Sequence, residues 1–105
     1  MKYSAFGALA VAAAASLALA SPALADGKIE CRGGPRAGWT NIERLRQKLT
    51  SEGWTIRKAE VTRDCYEVYG RTPEGDNVES FFHPVSLDKI LILKRGRPLY
   101  RAPGY

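Results

Sequence analysis

Histidine occurs once in these 105 residues, at His83, and cysteine twice, at Cys31 and Cys65. One imidazole cannot complete a Cys/His metal set, and the thiols are too far apart for a redox Cys-x-x-Cys pair. No cofactor and no metal are therefore expected. No Gly-rich phosphate loop or acyl-transfer motif is present either. Nucleophilic catalysis needs a nucleophile, a base and an orienting group within mutual reach. His83, beside Pro84 at an expected strand end, reads as a structural or merely exposed side chain. Glu67 and Glu79 could form a general acid–base couple if adjacent strands put them on one face. Pairing of each with Arg or Lys across strands is the simpler reading. The chain is expected to be no enzyme.

Also missing is an apolar run long enough to cross a bilayer. Phe6 to Leu19 is almost purely Ala, Val, Leu and Phe, but falls short of the roughly 20 residues required. Lys2 precedes it, and Pro22 followed by Ala23-Leu24-Ala25 supplies the small-x-small pattern that signal peptidase cuts. Residues 1–25 thus read as a secretory signal peptide, cleaved between Ala25 and Asp26. No Cys stands at the cut to carry a lipid. The mature chain, residues 26–105, is expected to be periplasmic or secreted, a monomer, and without a transmembrane segment.

Acidic residues stop at Asp88. Lys89, Lys94, Arg95, Arg97 and Arg101 follow with none between them, and they equal the whole of the chain's net charge of +5. A basic tail on an exported protein favours anionic partners such as lipid headgroups, acidic polysaccharide or an acidic protein face. Nucleic acid is not an expected partner outside the cell. The other reading is a solvated, partly frayed tail.

Two cysteines in an oxidising compartment usually pair. A Cys31–Cys65 disulfide would contribute about 4 kcal/mol in the chain-entropy account. It would pin the stretch around Gly33-Gly34-Pro35 to the folded body.

Residues 26–38 carry little apolar content beyond Ile29 and read as an extended arm. Thr40 with Glu43 forms a capping box. Ile42, Leu45 and Leu49 then lie on one stripe of a helix that Gly53 stops. Trp54-Thr55-Ile56 opens a strand whose phase shifts near Arg57-Lys58, which a bulge would reconcile. Cys65 to Arg71 is a second strand, and Thr72 to Asp76 a hairpin connection. Val78 to His83 alternates as a third strand that ends at Pro84. Ile90-Leu91-Ile92-Leu93, apolar on both parities, reads as a fourth covered on both faces. The expected class is α+β, one N-terminal helix packed on a three- to four-stranded antiparallel sheet. Trp54, Ile56, Val68, Phe82, Ile90 and Ile92 are the candidates to meet the helix.

Gly53-Trp54-x-Ile56, Cys65-Tyr66-Glu67-Val68-Tyr69-Gly70, Gly75 and Phe81-Phe82-x-Pro84, in that order, resemble the small exported PepSY-domain proteins of Gram-negative bacteria. Their pattern runs helix, Gly-Tyr-x-Val, a Tyr-Glu-Val strand, a Gly-containing turn and a Tyr-Phe-Asp-Pro strand end. The likeness covers residues 39–93, leaving 94–105 as the basic tail. His83 stands where that family usually has Asp, and Leu87 where a turn Gly is common, so the last hairpin is expected to depart from the pattern. The resemblance implies a protein-binding module, of the kind found in propeptides of secreted metallopeptidases, with no catalytic residues to carry over.

Two surfaces suit a partner. Leu91 and Leu93, on the parity opposite Ile90 and Ile92, would form an apolar strip beside Arg95, Arg97 and Arg101 unless Pro98-Leu99-Tyr100 folds back over them. Tyr66, Tyr69 and Trp39 could recognise a peptide or glycan, or lie in the core. The expected partner is an envelope protein, a peptidase or a sensor. The alternative is attachment to anionic lipid or polysaccharide through the basic tail. The leader reading has a direct check. Intact mass of protein recovered from the envelope should correspond to residues 26–105 with the two thiols oxidised, and a retained leader with free thiols would overturn it.

Overall fold

The computed structural model describes residues 29–105. The expected leader and the expected cut between Ala25 and Asp26 lie outside the described residues. Five antiparallel strands form a meander in the order β1 to β5, with one helix laid on one face. They are β1 Thr55–Thr62, β2 Cys65–Arg71, β3 Asn77–Phe82, β4 Lys89–Lys94 and β5 Arg97–Arg101.

The helix, α1, spans Ile42–Ser51 and buries Leu45 and Leu49, with Ile42 packed partly against the same core. Its cap differs from the expected box. Asn41, not Thr40, caps the first turn, accepting from the Glu43 N–H at 2.8 Å. Thr40 is drawn elsewhere: its N–H donates to the Pro84 carbonyl and its hydroxyl to the Val85 carbonyl at 2.7 Å. Gly53, at φ +102°, ends the helix in the left-handed region that favours glycine.

The expected phase shift in β1 is present: pairing with β2 slips between Ile56 and Lys58. At that bulge the chains approach so closely that a Cβ on Gly70 would collide with the Thr55 carbonyl oxygen. Gly70 is thus required by contact, not by dihedral angle.

Two cores result. Leu45, Leu49, Trp54, Tyr66, Val68, Val78, Phe82, Leu87 and Ile92 fill the space under the helix. On the opposite face Phe81, Ile90, Leu91 and Leu93 pack with the Cys31–Cys65 disulfide, against Ile29 and Tyr105. Ile90 is therefore not a partner of the helix. The register between β3 and β4 slips between Phe81 and Phe82, setting Phe81 opposite Leu91 and Phe82 opposite Lys89. Ile90 is the extra residue at this bulge and turns to the second core.

The sheet has five strands where three to four were expected, because β5 occupies part of the segment read as a basic tail. Arg95 and Gly96 both have positive φ, +52° and +78°, as a two-residue hairpin turn matching the sheet twist requires. Beyond β5 the Ala102 N–H still reaches the Ile90 carbonyl at 2.8 Å. No helix among the described residues is long and apolar enough to cross a membrane.

The Gly70 contact makes a stability prediction. Gly70→Ala should lower unfolding free energy by about 1–3 kcal/mol, as overpacking against a fixed backbone does. Gly38→Ala, with open space around it, should stay within about 0.5 kcal/mol. Equal denaturant midpoints for the two variants would refute the contact argument.

Candidate functional site

Residues paired across strands share a face, so the register lays out the surface away from the helix. One row reads Glu60, Glu67, Phe81, Leu91, Arg101, and the next Lys58, Tyr69, Glu79, Leu93, Pro98. Glu67 and Glu79 therefore do share a face, diagonally placed on adjacent strands. Instead of each taking a base across strands, they join one hydrogen-bonded cluster. Thr62 donates its hydroxyl to Glu67 Oε1 at 2.6 Å. The Tyr69 hydroxyl donates to Glu67 and lies 3.5 Å from Glu79 Oε2. Glu67 and Glu79 also interact directly through their carboxyl groups. Lys58 pairs with Glu60 at 3.4 Å and lies over the Tyr69 ring.

Burial opposes ionisation of Glu67, but the hydrogen bonds from Glu79, Thr62 and Tyr69 and the attraction of Lys58 outweigh it and hold the carboxyl below its ordinary 4.5. The hydrogen bond to Glu67, burial and the surrounding carboxylates keep Tyr69 a phenol far beyond its ordinary range. A carboxyl pair of this kind has the grammar of acid–base chemistry. Glu67, however, is only 3% exposed, so a substrate has almost no surface of it to touch. The cluster orders β1 and β2.

Asp64, in the turn between β1 and β2, has a parallel role. Its Oδ1 accepts from the Cys31 N–H at 3.1 Å and its Oδ2 from the Arg32 N–H at 2.7 Å. Burial pushes its acidity one way and backbone N–H groups of Cys31, Arg32, Gly33 and Asp64 itself push it further the other, below 3.8. Asp64 lies near both cysteines. The disulfide consumes both thiolates and the backbone occupies the carboxylate, so these three do not form a ligand set.

Cys31 and Cys65 are joined, with Cα atoms 5.3 Å apart, as expected. Leu91 and Leu93 are 1% exposed. They are core, not a docking strip, and β4 lies between β3 and β5 and is no edge. Leu99, 52% exposed, is not their cover. The arm and Tyr105 close that face: Tyr105 donates its hydroxyl to the Cys31 carbonyl, while Arg32 donates to the Gly104 carbonyl and stacks on the Tyr105 ring at 4.2 Å. Tyr66 is core as well, edge-on to Trp39, with its hydroxyl donating to the Thr40 carbonyl. Arg95, Arg97 and Arg101 are exposed, in the last hairpin turn and on β5. His83 Nδ1 accepts from the Val85 and Ser86 N–H groups at 3.1 and 3.3 Å, which makes the imidazole a cap of the β3–β4 loop.

Sequence reasoning missed Lys58, Glu60, Thr62 and Asp64 as members of these networks. The β1 bulge was the available signal, since it brings Lys58, Glu60 and Thr62 onto the face of Glu67 and Tyr69.

The family model described as peptidase propeptide and YPEB domain matches residues 8–91 of this chain. The match begins upstream of Trp39, where the sequence alone sets the start of the likeness. No curated protein matches, and no solved structure matches.

The networks predict a pH dependence. Glu67 and Asp64 are held below their ordinary values, so their contribution is whole above about pH 4.5 and is lost as the pH falls further. Tyr69 is held above its ordinary 10.0, so its contribution is whole below pH 10 and lost above it. Thermal melts should therefore show Tm falling at both extremes, with a smaller acid decline in Glu67→Gln. An acid decline of the same size in Glu67→Gln would rule out the Glu67 part.

Proposed function

This chain belongs to the PepSY family, the peptidase propeptide and YPEB domains, and from that premise we propose that it is an exported, non-catalytic protein-binding domain that modulates an envelope peptidase or sensor by occupying its surface. Family membership carries the reading. The burial of Glu67 supports it, because one member of the acid–base couple suggested by the sequence is closed off among its own partners. The domain acts as a monomer in the periplasm or outside the cell, and an acidic partner is steered to it by Arg95, Arg97 and Arg101.

The second reading is peripheral attachment to anionic lipid or polysaccharide. What favours it is that Arg95, Arg97 and Arg101 meet no carboxylate among the described residues, although Lys94 is taken by Asp76 at 2.7 Å.

Immobilised full chain should recover a peptidase or sensor from envelope extract, and adding the chain to that purified peptidase should change its turnover. Recovery of no protein, with envelope association that disappears at high ionic strength and survives protease treatment, would replace the first reading by the second.

A further inference from the structure

We propose that the free edge of β5 is a strand-addition site for an extended acidic segment of another protein. This deepens the protein-binding reading above and rests on it.

The sheet has two edges, β1 and β5. An open edge offers backbone N–H and C=O groups that another strand can pair with. Because the Ala102 N–H points into the sheet, to the Ile90 carbonyl, the alternation of an extended chain turns the N–H and C=O of Arg101 outward. Every residue of β5 is exposed, and Leu99 and Tyr100 add apolar surface to it. Pro98 and Pro103 have no N–H to give and the chain turns after Ala102, which restricts pairing to the short stretch from Leu99 to Arg101.

Charge selects the occupant. Arg101 pairs with Leu91, and Arg97 with Lys94, three residues further along β4. An odd separation on β4 places the two arginines on opposite faces of the sheet, flanking any strand laid alongside. Neither meets a carboxylate among the described residues, and the nearby Lys94 is already matched by Asp76. The β1 edge differs in carrying both signs, since Glu60 stands on the same strand as Arg57 and Lys58 and pairs with Lys58. Charges and a proline on an edge also deter unwanted pairing, but deterrence does not need one sign only. A second copy added through β5 would set arginine against arginine. A headgroup layer would make no use of the outward backbone groups. A segment with acidic side chains on both faces satisfies the arginines and the backbone together.

The test is fluorescence anisotropy of the full chain with a labelled ten-residue peptide alternating Glu and Thr. Also required are a Lys-for-Glu peptide, a peptide N-methylated on alternate residues, and phosphatidylglycerol vesicles. The Glu peptide should bind saturably and weaken with salt. Arg97→Glu/Arg101→Glu should weaken it by at least about tenfold. Both arginines are exposed, and an unchanged melting curve establishes that the variant folds. The Lys peptide and the N-methylated peptide should not bind. Binding of the N-methylated peptide equal to that of its parent, or a variant affinity within twofold, would overturn the proposal. So would vesicle binding that depends on the same arginines while the Glu peptide stays free. An envelope partner captured equally by wild type and variant sinks the edge alone. Peptide binding with no protein captured from the envelope sinks the modulator reading and leaves the edge.

Discussion

The run Ile90-Leu91-Ile92-Leu93 must be buried on both sides, and the rest of the molecule is arranged around that demand. An antiparallel sheet commonly leaves one face to water. Here α1 covers Ile92, and the other face has only the arm and the last residues of the chain to close it. Short segments of this kind bury too little to hold themselves in place. The disulfide fixes the arm at Cys31, Asp64 takes up two of its backbone N–H groups, and Tyr105 with Arg32 links it to the far end of the sequence. Releasing the arm would expose Phe81, Leu91 and Leu93 together. Each such side chain is worth about 1.5–3 kcal/mol when buried, comparable with the disulfide's about 4 kcal/mol. Staple and core therefore depend on one another.

That same face changes character from one edge to the other. Across the row from Glu60 through Glu67, Phe81 and Leu91 to Arg101 it passes from acidic to apolar to basic. The apolar middle explains the burial of Glu67, which stands beside Phe81. Buried there, Glu67 needs partners for both oxygens, and Thr62, Tyr69 and Glu79 supply them. An unpartnered carboxylate in that position would be costly. The polar cluster follows from where the second core ends, without any need for chemistry to explain it.

Much of this was legible in the residues. The helix stripe, the phase shift at Arg57-Lys58, the β2 span and the pairing of Cys31 with Cys65 follow from period, turn residues and compartment. The fifth strand did not, because Arg97-Pro98-Leu99-Tyr100-Arg101 is charged and contains a proline. Both features read as tail in isolation, and both are what a sheet edge tolerates. The turn residues Arg95-Gly96 were the available sign of a hairpin. Ile90 was placed on the wrong face because a strict alternation cannot foresee the bulge opposite Phe81 and Phe82. The cap moved from Thr40 to Asn41 because a loop distant in sequence claimed Thr40.

That loop also shows how the chain departs from its family pattern without losing the hairpin. An Asp at position 83 would offer a carboxylate oxygen to the N–H groups two and three residues on. His83 offers Nδ1 to the same two groups, so a ring nitrogen takes the place of a carboxylate oxygen as acceptor. A Gly at 87 would enter the left-handed region freely. Leu87 adopts φ +67° there at a cost of about 1–2 kcal/mol. Its side chain is buried in the core under the helix, which returns about as much or more. The Leu87 N–H donates to the His83 carbonyl and the His83 N–H to the Asp88 carbonyl, closing the loop on itself. Thr40 ties it to the start of α1. The loop is then a support for the helix, with His83 held in it by its Nδ1 contacts and Leu87 by its burial.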